Sequence, residues 1–156
     1  GSRDSAYYLC ANRNKRSVAI DISKPEGQDL VRQLAAQADI VLVDAPCSGS
    51  GTWRRNPELR WRLTPERLAR TEALQRQVLD IAAQLVKPGG VIVYAVCSLF
   101  AREGAEQIEA FMQRHTGFRA EGILPDTGRL SGAGRLLTPF HDATDGFFVA
   151  RLARSC

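Results

Sequence analysis

Two cysteines, Cys47 and Cys97, stand just past two short apolar runs, residues 40–43 and 91–96. Such runs read as strands of a buried parallel sheet, and open α/β sheets bind ligands beyond the carboxyl ends of their strands. The placement sets two thiols facing one crevice. A thiol is a strong nucleophile once its pKa, about 8.5 unperturbed, is lowered by a cation, a helix N-terminus or a base. Arg54, Arg55 and Arg102 are the nearby cations. The bland alternative makes each cysteine a small buried hydrophobe. Two thiols at matching strand ends leave the reactive reading level with it.

Beside the same crevice, Trp53-Arg54-Arg55-Asn56-Pro57-Glu58-Leu59-Arg60-Trp61-Arg62 interleaves four arginines with two tryptophans. Arginine binds phosphate bidentately and indole faces stack unpaired bases, so an exposed single-stranded RNA suits Trp53, Arg54, Arg55, Arg60, Trp61 and Arg62. A solvated loop whose guanidinium groups cover the indoles is the competing reading. Gly49-Ser50-Gly51 is only a fragment of a glycine-rich loop and says little about a dinucleotide.

These residues sit in a chain of 156 residues, 44% hydrophobic and 24% charged, with a net charge of +4, which is the profile of one ordinary globular domain. No apolar run approaches the ~18 residues of a membrane span. The four cysteines form no C-x-x-C pair and only His115 and His141 could join them, so no metal site is expected. No signal-peptide pattern opens the chain, and the expected setting is reducing and cytoplasmic.

The elements follow from periodicity. Residues 16–22 read as a strand, and Ser23-Lys24-Pro25-Glu26 as a capping box opening a helix whose Leu30, Val31, Leu34, Ala35 and Ala38 face a sheet. Residues 39–44 make the next strand, completing a βαβ unit. A long loop, 45–63, precedes a helix capped by Thr64-Pro65, with Leu68, Leu74, Val78, Ile81, Ala82 and Leu85 as its buried stripe and Lys87-Pro88-Gly89-Gly90 as its stop. After the central strand 91–96 comes a helix over about 102–115 burying Ile108, Phe111 and Met112, and the run 147–152 reads as an antiparallel edge hairpin. The class is α/β, a Rossmann-like three-layer sandwich with a mostly parallel sheet, in a single domain over 3–156.

Asp44-Ala45-Pro46-Cys47-Ser48-Gly49-Ser50-Gly51 together with Tyr94-Ala95-Val96-Cys97-Ser98 resembles the Sun/Fmu family of RNA cytosine-5 methyltransferases. The likeness runs from about residue 40 to the end. It takes in Asn56-Pro57-Glu58-Leu59-Arg60-Trp61-Arg62-Leu63-Thr64-Pro65, Leu85-Val86-Lys87-Pro88-Gly89-Gly90 and Thr144-Asp145-Gly146-Phe147-Phe148-Val149-Ala150-Arg151-Leu152. The resemblance implies that Cys97 attacks carbon 6 of a cytosine, that Cys47 assists product release and that Asp44 hydrogen-bonds the activated base. It further implies S-adenosylmethionine as methyl donor, with Asp44 and Pro46 at its site, and RNA as substrate. DNA cytosine methyltransferases use a Pro-Cys cysteine as nucleophile, which leaves the reverse assignment of Cys47 and Cys97 open.

The front of the chain departs from that family, whose Ala-Pro-Gly-Gly-Lys cofactor loop is missing. Residues 5–21, with Pro25-Glu26-Gly27 and Ala38-Asp39, resemble an N-terminal segment of family III CoA-transferases. The expectation is a hybrid joined near residues 39–42, lacking part of the methyltransferase sheet, binding S-adenosylmethionine weakly and inactive for want of the loop. Asp21, at a strand end, is the residue placed to meet a ribose hydroxyl. Two other classes compete: a folded chimera with no activity, and a CoA or nucleotide binder using Arg13, Lys15 and Arg16. Lost flanking strands leave an uncovered edge, so a homo-oligomer is expected.

Overall fold

The computed structural model describes residues 18–21 and 23–156. The chain divides into two compact units, Gly1–Arg32 and Gln33–Cys156. Cys10, Arg13, Lys15 and Arg16 lie outside the described residues.

In the first unit, residues 18–21 form no strand, so the expected strand over 16–22 is not formed in its described part. A local turn replaces it. The Asp21 carboxylate accepts from the Ser23 amide at 3.0 Å and the Ser23 hydroxyl at 2.6 Å, and the Lys24 amide donates to the Asp21 carbonyl. Short polar side chains that bond their own backbone in this way compete with ladder pairing. A Cβ on Gly27 would lie 2.0 Å from the Asp21 carbonyl oxygen, so this turn folds tightly onto the start of helix α1 (Pro25–Ala35). Leu30, Val31 and Leu34 stay exposed, and Gly27 is the residue α1 buries.

The second unit carries a mixed sheet. Its strands are β1 (Ile40–Asp44), β2 (Val91–Val96), β3 (Phe118–Glu121), β4 (Arg129–Ser131), β5 (Gly134–Leu137) and β6 (Phe147–Arg154). The order is β1-β2-β6-β5-β4, with β3 also on β6. The parallel part is the pair β1 and β2, in register from Ile40 opposite Val91 to Asp44 opposite Ala95. Among the described residues every other pairing is antiparallel. β6 is an interior strand rather than the expected edge. Its residues pair with β2 along one side and with β3 and β5 along the other. Such a position suits it, because Phe148, Ala150 and Leu152 are buried on one face opposite Val96, Tyr94 and Ile92.

That buried face meets helices α3 (Pro65–Leu85) and α4 (Ala105–Arg114), which complete the core with Leu79, Ala82, Ile108 and Phe111. Thr64 caps α3 by accepting the Arg67 amide proton, and Pro65 takes the first helical position, as the sequence anticipated. The stripe of α3, however, is rotated from the expected one. Gln75, Leu79, Ala82 and Ala83 are buried while Leu74 and Ile81 are exposed, because Gln75 is drawn inward by polar partners described below. On the opposite face Ile40 and Leu42 of β1 are 62% and 69% exposed, so within this unit the sandwich is partial. The 45–63 segment is not bare loop: it contains a 3-10 turn (Ser50–Thr52) and a short helix α2 (Glu58–Arg62).

Candidate active site

The parallel pairing of β1 and β2 brings Asp44 opposite Ala95, and the two chains leave the sheet side by side. The Ala45 amide continues the ladder to the Ala95 carbonyl at 3.0 Å. Three residues beyond the end of β1 and one beyond the end of β2 the side chains meet: Cys47 Sγ lies 3.4 Å from Cys97 Sγ. Both thiols are free and half-buried. They line one open cleft of about 580 Å³ with Asp44, Pro46, Asn56 and Arg67.

The two sulfurs differ in acidity. The hydrogen bond from Cys47 lowers the Cys97 thiol to about 7, against the opposing effects of burial and of the Asp44 and Glu103 charges. Cys47 is pushed far up, first because it keeps its proton for that bond and second because it is buried. The arginines expected to activate a thiolate are engaged elsewhere. Arg54 and Arg55 face Asp145, Arg55 at 2.5 Å, and Arg102 binds Glu72 at 2.8 Å. Activation therefore comes from the neighbouring thiol.

Behind the cysteines lies a group that the motifs did not single out. The Glu103 side chain is wholly buried, in the 3-10 turn Ala101–Glu103. It accepts from the Ser48 amide at 2.8 Å, the Ser48 hydroxyl at 2.5 Å and the Ser98 hydroxyl at 2.6 Å. Thr71 and Gln75 of α3 donate to it at 3.0 and 3.1 Å, and Gln75 also donates to the Pro46 carbonyl. A serine after each cysteine and a glutamate shortly beyond the second were visible in the sequence, but nothing local says that they meet. Arg67, on the cleft wall, was also missed.

The residues expected to touch RNA differ in exposure and in their partners. Trp53 is half-buried, edge-on to Phe100 at 6.1 Å. Trp61 is 80% exposed, with Arg60 over its ring at 5.5 Å, the arrangement of the competing reading. Arg62 is exposed. Among the cofactor residues, Asp44 and Pro46 line the cleft. Asp21 belongs to the first unit, at no strand end, and its carboxylate serves the Ser23 turn. Among the described residues no cluster of three or more His, Cys, Asp or Glu could hold a metal ion, and no helix is long and apolar enough to cross a membrane.

The family model described as 16S rRNA methyltransferase RsmB/F matches residues 7–153, running across the expected junction at 39–42. The ribosomal RNA small subunit methyltransferase B of Thermus thermophilus is 48% identical over 128 residues, 81% of this chain and 32% of that protein. The chain thus spans about a third of that relative's length. A solved methyltransferase homologue from Pyrococcus horikoshii superposes with a TM-score of 0.64 at 27% identity, covering 80% of this chain and 41% of its own. The structure titled NSun6 from the same organism, with SFG, superposes at 0.68 over 97% of this chain and 40% of its own; at 24% identity it speaks to the fold alone.

Proposed function

Since the chain belongs to the RsmB/F family of 16S rRNA methyltransferases, we propose that its cleft is the base-side half of an RNA cytosine-5 methyltransferase site. The observation that carries this reading is the thiol pair, 3.4 Å apart in an open cleft, with Cys97 the more acidic member. Cys97 Sγ adds to carbon 6 of a cytosine, a step that leaves electron density on carbon 5. Asp44, exposed at the cleft, hydrogen-bonds the base. Cys47, which keeps its proton beside the sulfur of Cys97, assists release of the methylated product. The exposed Trp61, Arg60 and Arg62 flank an approaching single strand.

The methyl donor of this family would be S-adenosylmethionine. Asp44 and Pro46 line the cleft where it would sit, whereas the Asp21 carboxylate is committed to its own turn. Weak donor binding and low turnover by this chain alone belong to the same proposal, as does self-association through the open edge of β1 in a cytoplasmic setting.

A folded hybrid without activity is the second reading. The separate compact unit Gly1–Arg32 favours it, while the family match from residue 7 counts against it. Incubation with small-subunit rRNA containing 5-azacytidine distinguishes the two. The first gives an adduct resistant to denaturing detergent, mapped to Cys97 by mass spectrometry; an adduct on Cys47 reverses the assignment, and none at all favours the hybrid.

A further inference from the structure

We propose that Glu103 is a positioning residue, a buried strut that holds the two cysteine-bearing loops at the spacing that brings Cys47 and Cys97 into contact. The inference rests on the thiol site above but not on its methyl chemistry. Each cysteine is followed by a serine, and one carboxylate takes both. Glu103 Oε2 accepts from Ser48 and Ser98, while Oε1 accepts the Ser48 amide. The serines also touch one another at 3.3 Å, and Ser50 reaches Ser98 at 3.0 Å.

A carboxylate is costly to bury and must recover that cost in hydrogen bonds. Glu103 recovers it with five, two of them from α3, so its position is fixed by a helix as well as by both loops. Its own backbone is anchored from below, since Tyr94 of β2 donates its hydroxyl proton to the Glu103 carbonyl at 2.7 Å. A strut tied to the sheet, a helix and both loops transmits rigidity to the sulfurs without touching a substrate. Acceptor-only chemistry is essential here, because the Ser48 amide can only donate.

Electrostatics gives the test its sign. The groups facing Cys97 are Cys47 and Asp44 from the first loop and strand, Glu103 from the 3-10 turn, and Arg67 on the same cleft wall. The Glu103 charge raises the Cys97 thiol, whereas contact with Cys47 lowers it more. Glu103→Gln removes the charge and replaces one of the two acceptor oxygens with an amide NH2 that can only donate, so the donors on that side lose their partner. If the residue acts only as a charge, the Cys97 midpoint falls below 7. If it acts as a strut, the loops part, the bond from Cys47 is lost and the midpoint rises by about a unit or more toward the ordinary thiol value of about 8.5.

The measurement is the pH dependence of iodoacetamide labelling of Cys97 in the whole chain, resolved by peptide mass spectrometry. It needs neither RNA nor methyl donor, so failure of the adduct experiment leaves it intact. A rise is the expected result; a fall or no change, in a variant with unaltered circular dichroism, overturns the proposal. Should Glu103→Gln not fold, Ser48→Ala and Ser98→Ala each remove one arm while retaining the charge. The midpoint then rises in at least one of them, and two well-folded serine variants that both titrate like the parent defeat the strut.

Discussion

Gly51 and Gly146 meet backbone to backbone: the Gly146 amide donates to the Gly51 carbonyl at 2.8 Å, and a Cβ on Gly51 would lie 2.0 Å from the Gly146 carbonyl oxygen. The Gly51 amide in turn donates to the Cys97 carbonyl at 3.0 Å. This glycine contact stitches the loop after β1, the loop after β2 and the entry to β6 together directly behind the sulfurs. Gly51→Ala must push two backbones apart, so a loss of about 1–3 kcal/mol or more is expected in urea unfolding. Slower labelling of Cys97 should accompany it. An unfolding midpoint equal to that of the parent would show that the three loops are not locked.

Labelling of Cys97 by iodoacetamide should follow a single titration centred near 7, while Cys47 stays unreactive across the neutral range. The sign follows from linkage. A depressed thiol adds stability that is complete above its unfolded pKa and is lost as pH falls through the folded value, whereas the raised Cys47 acts in the opposite sense. The two contributions to stability offset, so reactivity rather than unfolding reports the pair. Cys47→Ala removes the donated hydrogen bond and should move the midpoint up; a midpoint that stays near 7 would assign the acidity to another cause.

Diamide, which removes one hydrogen from each of two thiols, should link Cys47 to Cys97. The sulfurs need only close from 3.4 Å to the bonded distance of about 2.05 Å. Cys156, exposed and remote in sequence, should keep its free thiol. Non-reducing peptide mapping reads the link, and loss of RNA adduct formation should accompany it. A bridge to Cys156 in preference would contradict the observed pairing.

Leu42 presents an apolar side chain from a strand whose outer edge has no sheet partner among the described residues. Charged side chains on such strands oppose edge-to-edge pairing. Leu42→Lys should leave unfolding within about 0.5 kcal/mol of the parent, as surface changes do, and reduce the mass seen by light scattering at high concentration. Unchanged mass in both proteins would remove β1 as an association surface.

Much of this architecture is legible without coordinates. The Thr64-Pro65 cap, the glycine stop after Lys87, the apolar strands ending at Asp44 and Val96, and the helix burying Ile108 and Phe111 all follow from local rules, because each is set by residues within a few positions of one another. The motif cysteines were legible for the same reason, each standing within three residues of the end of one of two parallel strands. Residues 18–21 depart from the strand expected over 16–22 because the Asp21 carboxylate satisfies a local turn at Ser23 instead. The stripe of α3 is rotated from the apolar spacing because a polar residue, Gln75, finds buried partners in Glu103 and the Pro46 carbonyl that no local rule reveals.

Sequence alone determined the α/β class and the pair of thiols at neighbouring strand ends. Tertiary structure decided that those thiols touch, that the nearby arginines answer to Asp145 and Glu72 instead, that β6 runs through the sheet interior, and that a buried Glu103 joins the serines behind both sulfurs. The reason is range. Capping, periodicity and turns are written in adjacent residues, whereas a carboxylate's choice among five donors, or a thiol's acidity set by a neighbour fifty positions away, exists only once the strands are paired.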